Sequence, residues 1–490
     1  MEAQASSKTQ SPADESALRA AIDRSVRWPV LFFFASATIW LLASLAAGFV
    51  ANYRLASPGG PDSWAALSFP RLQPAHFSML VYGWGFNMAF GVMLWLMARL
   101  TRQEAKGIFS FLAAGKVWNM FVFVGTVFVL AGQGTGVEWL EFPRWCWPVL
   151  FVSYGVIAAK LFVLFQRRPD RESYISIHYL VAALFAFPWL LLTAWVFIFS
   201  FPGAAVMSTA INLWYVGGLQ ALFFTPVALA AIGYFIPKIT GNPLPATNLA
   251  VGGFWGMIAV GAWTGLGSVV GGPFPAWLPV LSAAASFLLI FPAIIVFRDF
   301  FGAVKGQGGA LEFSPTLRFT FASLWAFLVV VALGAFLAYN SGAAAFSTAI
   351  VGQGYATVLG FFGMAVFGAM AFIMPRITEC EWPSGKTLLG QFWFTVYSVI
   401  MLVFLSVAGG LMQSAAVSDV SAGWRVVVEG LQPYIVGRLF AFVVLLGVNL
   451  IFLRSFALML LRLAKPAGLA TLLHEPAPEA DSSASASAKA

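Results

Sequence analysis

Long apolar runs, each about the length of a membrane-crossing helix and parted by short polar stretches, organise this chain. They fall near residues 28–51, 77–98, 108–131, 145–165, 178–200, 208–236, 250–270, 276–297, 319–339, 348–374, 388–412 and 434–460. A helix needs about 20 apolar residues to cross the hydrocarbon of a bilayer, and within lipid it satisfies its own backbone groups. The pattern predicts an all-α integral membrane protein, with about twelve transmembrane helices in a membrane domain at 28–463. Several runs exceed the hydrocarbon thickness, which predicts tilt. Residues 1–27 are polar and mixed in charge, with no apolar stretch ahead of a small-residue cleavage site, and are expected to be a retained cytoplasmic tail. Residues 464–490, rich in Pro, Ala, Ser and Glu, are expected to be a disordered cytoplasmic tail.

Composition reinforces this picture. The 490 residues are 60% hydrophobic and only 9% charged, with a mean hydropathy of +0.86, which excludes a soluble globular enzyme. The net charge of +8 would suggest nucleic acid in a soluble chain, but here it has a topological origin. Of 27 Lys and Arg residues, 20 fall in the tails or after even-numbered runs, among them Arg99, Arg167, Arg298 and Arg376. Five, Arg54, Arg71, Arg144, Arg425 and Arg438, fall on the other side, and Lys116 and Lys160 stay unassigned at helix ends. The positive-inside rule then puts both termini in the cytoplasm, and no nucleic-acid binding is expected. Cys146 and Cys380 map to opposite faces, so they cannot pair and are expected to be packing residues.

An internal repeat is visible in the second, sixth and tenth runs. They end in Arg99-Leu100-Thr101, Lys238-Ile239-Thr240 and Arg376-Ile377-Thr378, the last two preceded by Pro237 and Pro375. Counting back 23 residues from each basic residue reaches His76, Tyr215 and Gln353, all near the other end of the span. Three four-helix units around a pseudo-threefold axis are the expected arrangement.

The segments RLQPAHFSMLVYGWGFN from Arg71, FPWLLLTAWVF from Phe187, INLWYVGGLQALFFTP from Ile211, GYFIPKITGNP from Gly233, WTGLGSVVGGPFPAW from Trp263 and GQGYATVLGFFGM from Gly352 carry a likeness. Together they resemble subunit I of the heme-copper oxidase superfamily, closest to C-type (cbb-type) cytochrome c oxidases and the nitric oxide reductase large subunit. The resemblance implies the pseudo-threefold twelve-helix bundle, a bacterial inner membrane, and a respiratory complex with cytochrome c-like partners on the outer face.

It also implies six histidine ligands, which hold two hemes and a copper because iron and copper need nitrogen donors of this kind. Of these, the low-spin heme ligand on the second helix is present as His76. The copper ligand of the WYxH pattern falls on Gly217, and the copper pair of the seventh helix on Gly267 and Ser268. The tenth-helix H-x-H pattern, high-spin ligand first, falls on Gln353 and Tyr355. The chain holds only two other histidines, His178 and His474, and neither lies where it could replace a ligand. No copper is expected, and at most one heme, at His76.

In that case Tyr355 would be a candidate second ligand, with Arg71 and Arg438 pairing the propionates. Alternatively His76 hydrogen-bonds to Tyr355 or Gln353 across neighbouring helices. The glycines at the former copper positions either let helices close up or leave room for a lipid or quinone. The function expected is that of a degenerate subunit I with a structural or partner role in a membrane redox complex. The alternatives are an active terminal oxidoreductase, reducing oxygen or nitric oxide with altered heme ligation, and a transporter on the same scaffold.

Overall fold

A computed structural model describes residues 12–463, apart from 58–63, 170–173, 201–204, 246–247, 269–273, 345–346, 420 and 422. Among the described residues, eleven helices are long and apolar enough to cross a membrane. In chain order with one shorter helix they are α1 Pro12–Ala56, α2 Phe69–Leu100, α3 Ile108–Leu130, α4 Cys146–Gln166, α5 Ile175–Ser200 and α6 Ala205–Thr240. The short α7 Asn248–Gly261 follows, then α8 Trp277–Val304, α9 Pro315–Tyr339, α10 Thr348–Thr378, α11 Gly385–Ser418 and α12 Trp424–Arg462.

Two elements depart from expectation. The seventh run, read as a span over 250–270, is helical for only 14 residues. The helix stops at Gly261, and beyond it Gly265 turns the chain with φ +100°, a conformation that L side chains rarely adopt. At the other end, α1 begins at Pro12, so residues 12–27 of the expected polar tail are helical. The reason is a stripe at i, i+4, i+8: Ile22, Val26 and Val30 are all buried.

The helices α2, α6 and α10 form the middle of the bundle. Their most apolar stretches are 100%, 78% and 100% buried, whereas α3, α4 and α8 present large apolar side chains such as Phe123, Val152 and Phe291 outward, as lipid-facing helices should. Each central helix widens into a π-helical turn at a matching depth: Met79–Gly85, Leu219–Phe224 and Ala356–Phe362. These begin 20, 19 and 20 residues before Arg99, Lys238 and Arg376, so the repeat seen in the basic ends extends to the backbone. Aromatic rings lock the three together: Phe86 stacks on Phe223 at 4.4 Å, and Phe224 meets Phe362 edge-on at 4.8 Å. Such pairs contribute about 0.5–1.5 kcal/mol each beyond the area they bury.

Polar residues inside the spans serve the same packing. Asn87 donates to Asn119 and to the Gly83 carbonyl, while Trp40 donates to Asn119, tying α1, α2 and α3.

Candidate functional site

His76 lies two residues after Pro74 in the first turns of α2 and is fully buried. Its Nδ1 is 2.7 Å from the Ser44 carbonyl oxygen and 3.0 Å from the Ser44 hydroxyl, which itself donates to the His76 carbonyl at 2.9 Å. A carbonyl only accepts, so Nδ1 carries the proton and donates it to Ser44. Nε2 is then the acceptor, and the Tyr355 hydroxyl donates to it at 3.0 Å. Phe442 closes edge-on against both rings at 5.5 and 6.1 Å, and Phe77 stacks on Tyr355 at 5.2 Å.

A heme iron between these rings would need the Nε2 lone pair to which Tyr355 donates, and two axial atoms sharing one metal stand roughly 4 Å apart, twice a metal–nitrogen bond of about 2 Å, whereas Nε2 and the Tyr355 oxygen are 3.0 Å apart. The α1 backbone also presses in at Gly48, where a Cβ would lie 2.6 Å from Phe442 and 2.8 Å from His76. Of the residues singled out in the sequence, His76, Tyr355 and Arg438 come together, Arg438 being buried within electrostatic reach of Tyr355. Arg71 does not join them, since its guanidinium donates to the Leu130 carbonyl at 3.1 Å, at the end of α3.

The former copper positions flank a different feature. Gly217 packs backbone to backbone on Gly265, where a Cβ on Gly217 would lie 2.6 Å from the Gly265 Cα. Beyond this contact a cavity of about 160 Å³ stays open between α6, the 264–267 turn, α8, α9 and α10. Of the two outcomes the glycines left open, the structure combines both: one side is packed shut and the rest is a hole. Gln353 lines it, with Nε2 donating to the Val330 carbonyl at 3.2 Å and Oε1 buried without a partner. Gly267 also lines it, and the backbone of Ser268 continues the same short turn. Glu138 also lines the cavity and keeps accessible surface although protein crowds it on nearly every side. Burial raises its carboxyl pKa.

Sequence reasoning missed the loop between α3 and α4. Trp139, with φ +58°, is one of three described non-glycine residues in the left-handed region. Two hydrogen bonds hold it there: its N–H donates to Glu141 Oε1 at 2.9 Å, and the Tyr82 hydroxyl donates to its carbonyl. Tyr215 donates in turn to Tyr82 at 2.7 Å. The Trp139 indole stacks on Phe77 at 6.3 Å, so this strained residue plugs the His76 cluster from above. Nothing in a loop of mixed polarity signals this. The positive-φ tryptophan and the burial of Glu141 arise from tertiary contacts alone.

Glu141 is 5% exposed, accepts the Ser78 hydroxyl at 2.7 Å, and has its carboxyl pKa pushed up to about 7, chiefly by burial. A carboxyl titrating near 4.5 unfolded and about 7 folded binds its proton more tightly in the native state. Its stabilising effect is present below the lower value and lost as pH rises through the upper one. The thermal unfolding midpoint should therefore fall between about pH 5 and pH 8, and Glu141→Gln should flatten that fall. An unchanged slope in the variant, measured in detergent, would contradict the assignment.

His178 begins α5, near Phe254 at 5.8 Å, and His474 lies outside the described residues. Among the described residues no group of three His, Cys, Asp or Glu side chains is arranged to hold a metal ion. Cys146 and Cys380 are both free and buried.

Residues 28–450 match the protein family described as Cytochrome C and Quinol oxidase polypeptide I. The cytochrome c oxidase subunit 1 homolog of Azorhizobium caulinodans is 21% identical over 438 residues, covering 85% of this chain and 78% of that protein. The cbb3-type cytochrome c oxidase subunit CcoN1 of Stutzerimonas stutzeri is 22% identical over 394 residues, covering 76% and 81%. Among solved structures, a heme-copper terminal oxidase dimer studied by cryo-electron microscopy superposes with a TM-score of 0.74 at 13% identity. The match covers 91% of this chain and 86% of that one.

Proposed function

Because this chain belongs to the Cytochrome C and Quinol oxidase polypeptide I family, while its His76 cluster is hydrogen-bonded shut, we propose that it is a degenerate subunit I that serves a membrane redox complex structurally. The contact that carries this reading is the hydrogen bond from Tyr355 to His76 Nε2, between the two positions that the resemblance assigns to the axial ligands of the low-spin heme. Glycine, serine and glutamine at the copper and high-spin positions support it, since none offers the imidazole donor that these metals need. The chain then contributes its bundle and surface, not electron transfer. The scaffold would lie in the bacterial cytoplasmic membrane with both termini inside, beside other redox subunits and cytochrome c-like proteins on the outer face.

Isolation in mild detergent tests the partner role. The chain should co-migrate with heme-bearing membrane subunits on a native gel and separate from them in harsher detergent. Migration alone under the mildest conditions, at native expression, would contradict the role.

A further inference from the structure

The repeat that ends in Arg99, Lys238 and Arg376 carries a second element. Four residues before each basic residue stands an aromatic one: Trp95, Tyr234 and Phe372. In the folded chain the three rings meet, Trp95 lying edge-on to Tyr234 at 5.5 Å and to Phe372 at 5.8 Å. They form a floor at this end of the central helices. The Arg99 guanidinium lies over Trp95 at 5.1 Å, and that of Arg376 over Phe372 at 3.3 Å.

The cations here outnumber the acids that bind them. Arg99 is paired with Asp23 at 2.8 Å and Arg19 with Glu15, both acids lying on the α1 extension. Lys238 is exposed and lies within electrostatic reach of Arg19, Arg99 and Arg376, yet among the described residues neither it nor Arg376 forms an ion pair. Asp23 reaches Arg376, and Glu15 reaches Lys238, through charge without a bond. Arg376 gives one nitrogen to the Phe372 carbonyl at 2.7 Å, which leaves the rest of its guanidinium uncommitted. The Tyr234 hydroxyl, one turn before Lys238 on the same face of α6, also has no hydrogen-bond partner among the described residues. A helix C-terminus favours one nearby cation, which accounts for each basic residue singly. It leaves the donors of Lys238, Arg376 and Tyr234 without acceptors.

We propose that this end of the bundle binds a single phosphate group, whose oxygens accept from Arg376, Lys238 and Tyr234. Phosphate fits because its tetrahedral oxygens can take a planar guanidinium in a bidentate pair and still leave acceptors for an ammonium and a hydroxyl. A carboxylate would be filled by the guanidinium alone. The phosphate belongs either to the free anion or to a lipid headgroup, and the experiment separates the two. The inference goes beyond the structural role proposed above and does not rest on it, since every donor belongs to this chain.

The test is isothermal titration calorimetry of the full, delipidated chain in dodecyl maltoside at constant ionic strength, with inorganic phosphate and, separately, with short-chain phosphatidylglycerol. Saturable single-site binding of at least one is expected: of phosphate where the free anion is the ligand, of the lipid where it is a headgroup. Lys238→Gln, at an exposed position, should weaken that binding about tenfold, as the loss of one charge-assisted hydrogen bond does. Arg425→Gln, at the start of α12 and so at the opposite end of the bundle, should leave it unchanged. Absence of saturable binding by either probe in the unaltered chain would overturn the proposal, and so would equal effects of the two substitutions. Should Lys238→Gln fail to fold, Tyr234→Phe takes its place with an expected loss of about fivefold, and unchanged binding in it would count against the site.

Discussion

Asp23→Ala is expected to destabilise the protein by about 3–5 kcal/mol, the range seen when one partner of a buried ion pair is removed. Asp23 is 7% exposed, in the helical extension of α1. One carboxylate oxygen accepts from Arg99 at 2.8 Å and the other from the Trp95 indole at 2.9 Å. Arg99 also lies over the Trp95 ring at 5.1 Å, and Arg376 is within electrostatic reach of both Arg99 and Asp23. Arg99, Lys238 and Arg376, the basic ends of the three repeats, thus lie within electrostatic reach of one another, and Arg99 and Arg376 both act on Asp23. Because burial penalises both charges, the pair adds little net stability. Deleting the carboxylate alone, however, strands Arg99 where little water reaches it. Asp23→Asn keeps a partner for Trp95 but loses the charge, and should fall between the two. Thermal unfolding in one detergent ranks the three proteins, and an unaltered midpoint for Asp23→Ala would contradict the anchoring role.

Gly217→Ala is expected to cost about 3 kcal/mol, the upper part of the usual range for overpacking. The new Cβ would meet the Gly265 Cα at 2.6 Å and the Thr264 carbonyl at 2.9 Å, which are backbone atoms and cannot rotate away. Gly265 cannot yield either, as it sits at φ +100° with the Leu213 carbonyl against it. Gly267→Ala is the control: its nearest neighbours would be 3.8 Å away, so a change within about 0.5 kcal/mol is expected. Equal effects at the two glycines would mean that the backbone contact between Gly217 and Gly265 is not rigid. The pair also explains why a histidine ligand cannot simply be restored at position 217.

The spans were legible because burial in lipid demands long apolar runs, and eleven of the twelve reach crossing length among the described residues. In the seventh run the helix is shorter than the apolar stretch, because hydropathy counts Leu266 and its neighbours without registering the turn that follows Gly261, with Gly265 at positive φ. The helical start at Pro12 was legible in principle from Ile22, Val26 and Val30, yet the charges around them masked the stripe. The meeting of His76 with Tyr355 followed from the matched positions of α2 and α10. Ser44, Trp139 and Glu141 had no comparable signal. They come from α1 and a loop, and their contacts with the His76 cluster exist only once the bundle has closed.

The most direct measurement is the visible spectrum of the purified full chain, oxidised and dithionite-reduced, with iron and copper determined on the same sample. No heme band in either state is expected, and both metals should be far below one per chain. A stoichiometric heme band that disappears in His76→Ala would contradict the closed His76–Tyr355 site and with it the noncatalytic role.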